Sequence, residues 1–554
     1  MFKNFFDSDK KSIYFLVVFG IICYLYNIGG WDLWAPDEPR FGQIPKEMIQ
    51  SGNYMVPHLN GKPYSDKPPL NFWETALVSK VFFNGKVDEF TTRLPSAIAA
   101  FLGLFVIFYI AKTLYNDRKI ALLSSLIMGT SIIYFDQGHT AQLDMTVSFW
   151  VYVSILAFLL RYKDKTKSAW ITYLFWVAAA LATLSKGPPG IIVAFGTVAT
   201  FLISNKEFKQ KIKIINPISG FLVFAAMMLV WLIPAVKGGD SSYSSDLLWT
   251  QTVVRYLHPV QHNQPIWYYL EYIITDYAPW SLFLPFAIWF GYKNKKNDPN
   301  YLNFKFNMCW LLFTLVFFTL SPGKRSQYIF PMYPAMAIIT AVYWKHLIDK
   351  YTKTPIHVFI SVIILLVLVL VGTAAATIVL NMNAETFAQY SDVDFKHLKE
   401  FPILSGIFLL LSISLLLGYC LINRKPIITF AAITIMMITL MISIVSFYYP
   451  AMNGFKSGRE FCMKTESIIK DNRNIAIYDF FRADYMFYGN YLLTRIEEKD
   501  EVENFFSTDK RVFCIIRTDQ FNRIQDFVKD KKLYILYSEP IGHRSVSLIS
   551  NYSK

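Results

Sequence analysis

Long apolar blocks separated by short charged gaps dominate the chain. Phe359–Leu380 and Ile427–Phe447 each run about twenty residues with almost no charge, enough for a helix to cross roughly 30 Å of hydrocarbon. The same window reading predicts about thirteen spans. They lie near 12–30, 93–114, 119–135, 144–161, 168–185, 190–204, 214–236, 278–292, 306–321, 327–344, 356–380, 402–422 and 427–449. Met1–Lys11 is short and basic, and Trp31-Asp32-Leu33-Trp34 follows the first apolar run where a small-residue cleavage site would stand. That run is therefore read as a retained helix with a cytoplasmic N-terminus.

Charge orders the gaps. Lys112, Arg118 and Lys119, then Arg161, Lys163, Lys165 and Lys167, then Lys206, Lys209, Lys211 and Lys213 fall in alternate gaps, and the pattern continues to Arg424 and Lys425. By the positive-inside rule these face the cytoplasm. The intervening gaps, about 31–92, 136–143, 186–189, 237–277, 322–326 and 381–401, are mixed in charge and face outside, and an odd number of spans puts the tail outside as well. The net charge of +14 is thus a topology signal and implies no nucleic acid.

Past residue 449 the period changes. Asn474–Phe480, Arg511–Arg517 and Leu533–Tyr537 read as strands, and Lys456–Lys470 and Gln520–Lys529 as amphipathic helices. The expected organisation is a membrane domain, 1–449, with outer loops 31–92 and 237–277, and a small α/β domain, 450–554. Five cysteines are too few for a disulfide framework. Cys23, Cys309 and Cys420 lie in or beside spans, and Cys462 and Cys514 could pair if the tail is extracytoplasmic.

Polar chemistry collects at the outer ends of spans. In the first loop, Phe41, Ile44 and Met48 share one helix face, which Ser51-Gly52 would end. A helix along the membrane surface is expected, with Trp31 and Trp34 at the interface. Asp37 would cap it with Pro39 in the first turn, and a cap is compatible with a catalytic role. Asp66 and Lys67 precede a double proline and a new helical run, where capping and a solvated lysine are the plain reading. Two carboxylates, a lysine and several aromatics within about thirty residues also suit a sugar and a phosphate.

Three segments together carry a resemblance. Asp37 to Met48 (DEPRFGQIPKEM), Gly52 to Tyr64 (GNYMVPHLNGKPY) and Asp66 to Leu70 (DKPPL), with Arg93-Leu94-Pro95 at the next span, resemble the first periplasmic loop of the ArnT family. Those proteins are lipid A aminoarabinose transferases of the GT-C class, related to the protein mannosyltransferases. The likeness is dense over about 37–95 and weaker through the rest of the membrane region. It implies a polytopic α-helical GT-C fold of about 13 transmembrane helices with a small C-terminal α/β domain. It also implies a multi-pass protein of the bacterial inner membrane with its active site and tail periplasmic.

The implied reaction moves a sugar, an amino sugar such as 4-amino-4-deoxy-arabinose or a hexosamine, from undecaprenyl phosphate to a phosphate of lipid A, with inversion. The partners are the lipid-linked sugar, the lipid A acceptor and membrane lipids, and a monomer is expected. By the same resemblance Asp37 and Asp144 are catalytic, and Lys67, Lys186, Arg255 and Tyr328 bind the donor phosphate. Glu38, Arg40, Tyr64, Asp66, Lys324 and Arg325 are further substrate contacts. Local sequence also allows Asp144 as a helix cap and Lys186 as a snorkelling side chain.

The family's His-Glu-His-like run before the arginine reads Thr250-Gln251-Thr252 here, and the Glu of its Glu-Lys-Pro segment is Asp66. No cofactor is required, and a divalent metal would need a shifted site through His258 and His262, since threonine is not a usual zinc ligand. Two alternatives stand beside this reading. One is a polyprenyl-phosphate-sugar-dependent protein O-glycosyltransferase. The other is a flippase or transporter, which predicts paired repeats and polar, broken helices at the bilayer midplane.

Overall fold

The structure is a computed structural model that describes residues 8–254, 263–293, 300–381, 413–415, 418–420, 422–470, 473–542 and 544–553. The chain opens with α1 (Asp9–Gly20), prolonged by a π-helical turn at Ile21–Leu25. The first long loop folds into α2 (Glu38–Ser51), a small hairpin of β1 (His58–Leu59) and β2 (Lys62–Pro63), and α3 (Leu70–Phe82). Six helices follow in order: α4 (Glu89–Tyr115), α5 (Arg118–Gly129), α6 (Ile132–His139), α7 (Leu143–Tyr162), α8 (Ala169–Lys186) and α9 (Pro189–Ser204).

Among the described residues, α4, α7, α8, Pro217–Gly238, Tyr301–Leu320 and Pro426–Ala451 are each long and apolar enough to cross a membrane. Two bent pairs, α5 with α6 at 65° and Tyr268–Asp276 with Trp280–Lys293 at 112°, bring the number to eight if each is one span. The chain is a multi-pass membrane protein. The expected span 402–422 and the outer gap 381–401 lie largely or wholly outside the described residues. On Pro217–Gly238, Ile218, Phe221, Leu222 and Val230 are exposed, as a lipid-facing helix requires. Inside the bundle, hydroxyls find backbone carbonyls: Tyr134 donates to Ala100 (2.6 Å) and Ser125 to Leu104 (2.8 Å). In a medium without water that pairing is obligatory.

The tail is a five-stranded sheet in the order β4-β3-β5-β7-β6, built from β3 (Ile475–Tyr478), β4 (Thr494–Ile496), β5 (Phe513–Arg517), β6 (Tyr534–Ile541) and β7 (Arg544–Ser550). β4, β3 and β5 run parallel, while β7 is antiparallel to both β5 and β6. The sequence pattern located β3, β5 and β6. It missed β4, three residues with two exposed side chains, and β7, whose serines blur the alternation. Helices Arg459–Ile469 and Phe521–Phe527 occupy the expected places. All five cysteines are buried and free. Cys462 and Cys514 belong to separate apolar clusters, so the pairing left open above is not made.

The tail packs onto the first loop. The helix Ala483–Gly489 lies against α2, where a Cβ on Gly42 would come within 2.8 Å of the Phe487 ring, so the close approach needs glycine. Lys46 Nζ donates to the Phe487 carbonyl (3.0 Å), and Asn60 exchanges two hydrogen bonds with the Leu493 backbone (2.7 and 2.8 Å). Arg459 bridges Asp32 (2.9 Å) and Glu89 (3.1 Å). α2 is therefore covered by protein on two sides, by Phe72 and Leu143 on one and by the tail on the other. Trp31 is likewise a core residue, 2% exposed, with the Arg93 guanidinium 4.2 Å from its ring centre. It is not an interfacial anchor.

Candidate active site

α2 ends as its sequence predicts, with Gly52 in the left-handed region at φ +72° closing the last turn onto Met48. Phe41, Ile44 and Met48 point into one cluster with Phe72 of α3 and Leu143 of α7. The opposite edge is held by Glu47, which accepts from the Asn60 and Gly61 amides (2.9 and 3.1 Å). Those amides form an Asn-Gly turn with both residues at positive φ, the chemistry a two-residue hairpin demands.

At its start, α2 departs from the expected cap. Asp37 occupies the N-cap position with near-helical backbone angles and makes no capping hydrogen bond. Its carboxylate turns to the Arg40 guanidinium and to Arg325 (3.3 Å) from the distant segment before Tyr328, and Gln142 hydrogen-bonds to it as well. Burial alone would push this carboxyl up. The two guanidiniums outweigh burial and hold it below the ordinary carboxylate range.

Glu38 is consumed by structure. It pairs with Arg93 of α4, which is wholly buried, through Nε (2.7 Å) and a terminal nitrogen (2.9 Å), and it accepts from the Ala141 and Trp34 amides (2.9 and 3.1 Å). Arg93 also donates to the carbonyls of Ile28, Trp31 and Asp32 (3.1, 2.7 and 2.6 Å). Four accepted bonds fill a carboxylate's capacity, so the expected substrate contact through Glu38 is corrected: it locks α2, α4 and the α6–α7 corner together.

Across that corner lies a second charged group. Asp144 sits in the first turn of α7, whose N-cap is Gln142. It forms an ion pair with Lys186 at the end of α8, and the Lys186 ammonium stands 4.6 Å from the centre of the Tyr328 ring. Asp144 is thus not a cap, and Lys186 does not snorkel to water. Gln142 bonds Asp37 and precedes Asp144 by two residues, so the two charged groups are neighbours. Tyr269, buried and carried by the helix Tyr268–Asp276, lies within electrostatic reach of both Asp144 and Tyr328. The sequence reading missed Tyr269, although the aromatic run Trp267-Tyr268-Tyr269 in the second outer loop was its signal.

Asp66 and Lys67 are half-buried ahead of α3, and both are engaged by neighbours. Asn71, four residues on, reaches Thr146 of α7 (3.4 Å). Tyr64 is buried beside Phe72, with Arg40 5.9 Å from its ring centre. Lys324 is 4% exposed and donates to the carbonyls of Gln264 (2.9 Å) and Pro322 (3.4 Å). It staples two loops, a correction to its expected place among substrate contacts. Arg255, His258 and His262 lie outside the described residues. Among the described residues no three His, Cys, Asp or Glu side chains are placed to hold a metal ion.

The helical bundle, with charged groups converging at one end and the tail domain packed on the first loop, has the fold of known GT-C proteins. ArnT from Cupriavidus metallidurans bound to undecaprenyl phosphate superposes with a TM-score of 0.80 over 99% of both chains at 16% identity. The archaeal oligosaccharyltransferase AglB from Archaeoglobus fulgidus gives 0.52 over 94% of this chain and 71% of its own, at 10% identity. In sequence, residues 66–233 match the dolichyl-phosphate-mannose-protein mannosyltransferase family. The chain is 27% identical over 341 residues to an undecaprenyl phosphate-α-4-amino-4-deoxy-L-arabinose arabinosyl transferase of Proteus mirabilis. It is 29% identical over 332 residues to the transferase of that name in Yersinia enterocolitica. These alignments cover 61% and 59% of this chain, and 60% and 58% of the relatives' length. In fold and in sequence the chain is ArnT-like.

Proposed function

We propose that this chain transfers 4-amino-4-deoxy-arabinose, or a closely related amino sugar, from undecaprenyl phosphate to a phosphate of lipid A. The site faces the periplasm from the inner membrane, and the protein works as a monomer. The observation that carries the reading is the pair of adjoining charged groups, Asp37 with Arg40 and Arg325, and Asp144 with Lys186 and Tyr328, on an ArnT-like bundle. Cations beside tethered carboxylates suit a reaction in which one phosphate attacks and another departs.

The chemistry balances without a proton. An acceptor phosphate oxygen forms the new bond to the anomeric carbon from the face opposite the donor. The bond from that carbon to the donor phosphate breaks, and its electron pair leaves with undecaprenyl phosphate. One phosphomonoester becomes a diester while the other diester becomes a monoester. Lys186 and Lys67 (with Arg255, by the resemblance) stabilise the charge that grows on the departing phosphate. A group positioned in this way contributes about 3–4 kcal/mol to the transition state. Asp37, kept ionised by its arginines, is a weak base and serves instead to steady positive charge at the anomeric carbon and to fix Arg40 and Arg325.

That weakness favours a phosphate acceptor, already ionised near neutral pH, over the serine or threonine hydroxyl of a protein acceptor, which needs a base. Lipid A mass spectra from cells with and without the gene test the reading. Addition of the amino sugar should depend on the gene, disappear in Asp37→Ala and persist in Lys209→Ala. Unchanged spectra on deletion, with new masses on exported proteins instead, would move the assignment to protein glycosylation.

A further inference from the structure

One carboxylate beside the site, hydrogen-bonded by the Thr275 side chain, is left only half satisfied. Asp276 ends the helix Tyr268–Asp276 at the corner where the chain turns through 112°. Its Oδ2 is buried without a hydrogen-bond partner, and among the described residues no lysine or arginine forms an ion pair with it. α6 meets this corner, its Ile132 amide donating to the Ala278 carbonyl (3.2 Å), and the carboxylate that Asp276 senses is Asp136 of that helix. Two side chains at least nine-tenths buried border the pair with unused polar atoms. The Tyr333 hydroxyl, 0% exposed, is within electrostatic reach of Asp276 yet bonds to nothing. Gln137, 3% exposed, donates its amide to Asp136 (2.9 Å) and leaves its oxygen unpaired. The charges beyond Asp136 are Glu38 and Lys456.

Like charges crowded out of water raise each other's cost, and a cation between them relieves both. The unpaired Tyr333 and Gln137 oxygens add buried acceptors for N–H donors. Placement indicates which cation. Tyr269 and Asp276 are seven residues apart, two turns on one helix face and about 10 Å along the axis. Tyr269 attends Asp144 and Tyr328, where the donor phosphate is placed above. A sugar held by that phosphate and extended along this helix would bring its far end toward Asp276.

We propose that Asp276, backed by Asp136 and flanked by the Tyr333 hydroxyl and the Gln137 amide oxygen, binds the ammonium group of the donor sugar and so selects an amino sugar over a neutral one. This rests on the transferase reading. The test uses full-length protein in lipid nanodiscs with two donors, undecaprenyl phosphate carrying 4-amino-4-deoxy-arabinose and the same lipid with its amine acetylated. In Asp276→Asn, KM for the amino donor should rise by about tenfold to a hundredfold, the loss expected for one charge-assisted bond. Its kcat should change less, and the acetylated donor should be unaffected. Asp276→Glu should recover part of the preference, and Tyr333→Phe, which keeps the packing, should weaken it a few-fold.

An unchanged preference in Asp276→Asn overturns the inference while leaving the transferase reading intact. So does a preference that a chelator abolishes, which would make the pair a metal site. Wild-type protein that transfers from neither donor removes both. If Asp276→Asn fails to fold, an unchanged preference in Tyr333→Phe overturns the inference.

Discussion

Replacing Arg93 by methionine tests the framework beneath the site. The side chain is wholly buried and gives five hydrogen bonds, two to Glu38 and three to the carbonyls of Ile28, Trp31 and Asp32. Methionine fills much of the volume and gives none. Breaking a buried pair by removing one partner costs about 3–5 kcal/mol, because the remaining charge is uncompensated. Three carbonyls lose their donor as well, so the upper end, about 5 kcal/mol, is expected. That is a third or more of the roughly 5–15 kcal/mol that holds an ordinary domain together.

The assay is thermal unfolding of purified protein in detergent, alongside its level in membranes. Arg93→Met should melt several degrees lower and accumulate poorly. Adding Glu38→Gln should recover stability relative to Arg93→Met alone, since it removes the stranded charge, with a coupling of about 0.5–3 kcal/mol. Wild-type melting in Arg93→Met, or a double variant no better than the single one, would refute the reasoning.

Other expectations follow from the same contacts. Asp37 has its carboxyl held below its ordinary value of 3.8, so it contributes stability above that value and loses it only as the pH falls through the lowered folded value. The profile of kcat/KM should therefore show no acid limb from Asp37 between about pH 5 and 8, whereas Arg325→Gln should move that limb upward. A wild-type limb near pH 6 that Asp37→Asn abolishes would count against the ion-pair account. Lys186→Met should cut kcat by about a hundredfold or more at unchanged protein level, read by single-turnover transfer, and near-full activity would remove it from the site. Tyr488 accepts a hydrogen bond from the Leu33 amide (2.7 Å), so Tyr488→Phe should loosen the tail by about 1–2 kcal/mol. Faster proteolysis within 450–554 would register it, and wild-type cleavage rates would show that the contact is not limiting.

Much of the architecture was legible from periodicity. Twenty-residue apolar runs leave a chain few choices but to span a membrane, because unpaired backbone cannot sit in hydrocarbon. α2 and its glycine stop could be read from a few residues, since helix spacing and the left-handed cap are local effects. The pattern also marked Asp37, Asp144, Lys186 and Arg325 as outer polar groups worth attention.

Partnership was not local. Asp37 read as a cap, because sequence shows only its neighbours, whereas Arg325 lies 288 positions away and arrives by folding. Glu38 and Lys324 looked available for substrate until Arg93 and two loop carbonyls took them. Nothing in α2 itself announced that the tail would cover it, and Asp276 was one more residue in a long loop. Composition and spacing determined that this is a multi-pass membrane protein with its polar chemistry gathered at helix ends. Which charges neutralise one another, and which are left for a substrate, only the tertiary structure decided. Electrostatic pairing depends on distance in space, and the chain brings its partners together from hundreds of residues apart.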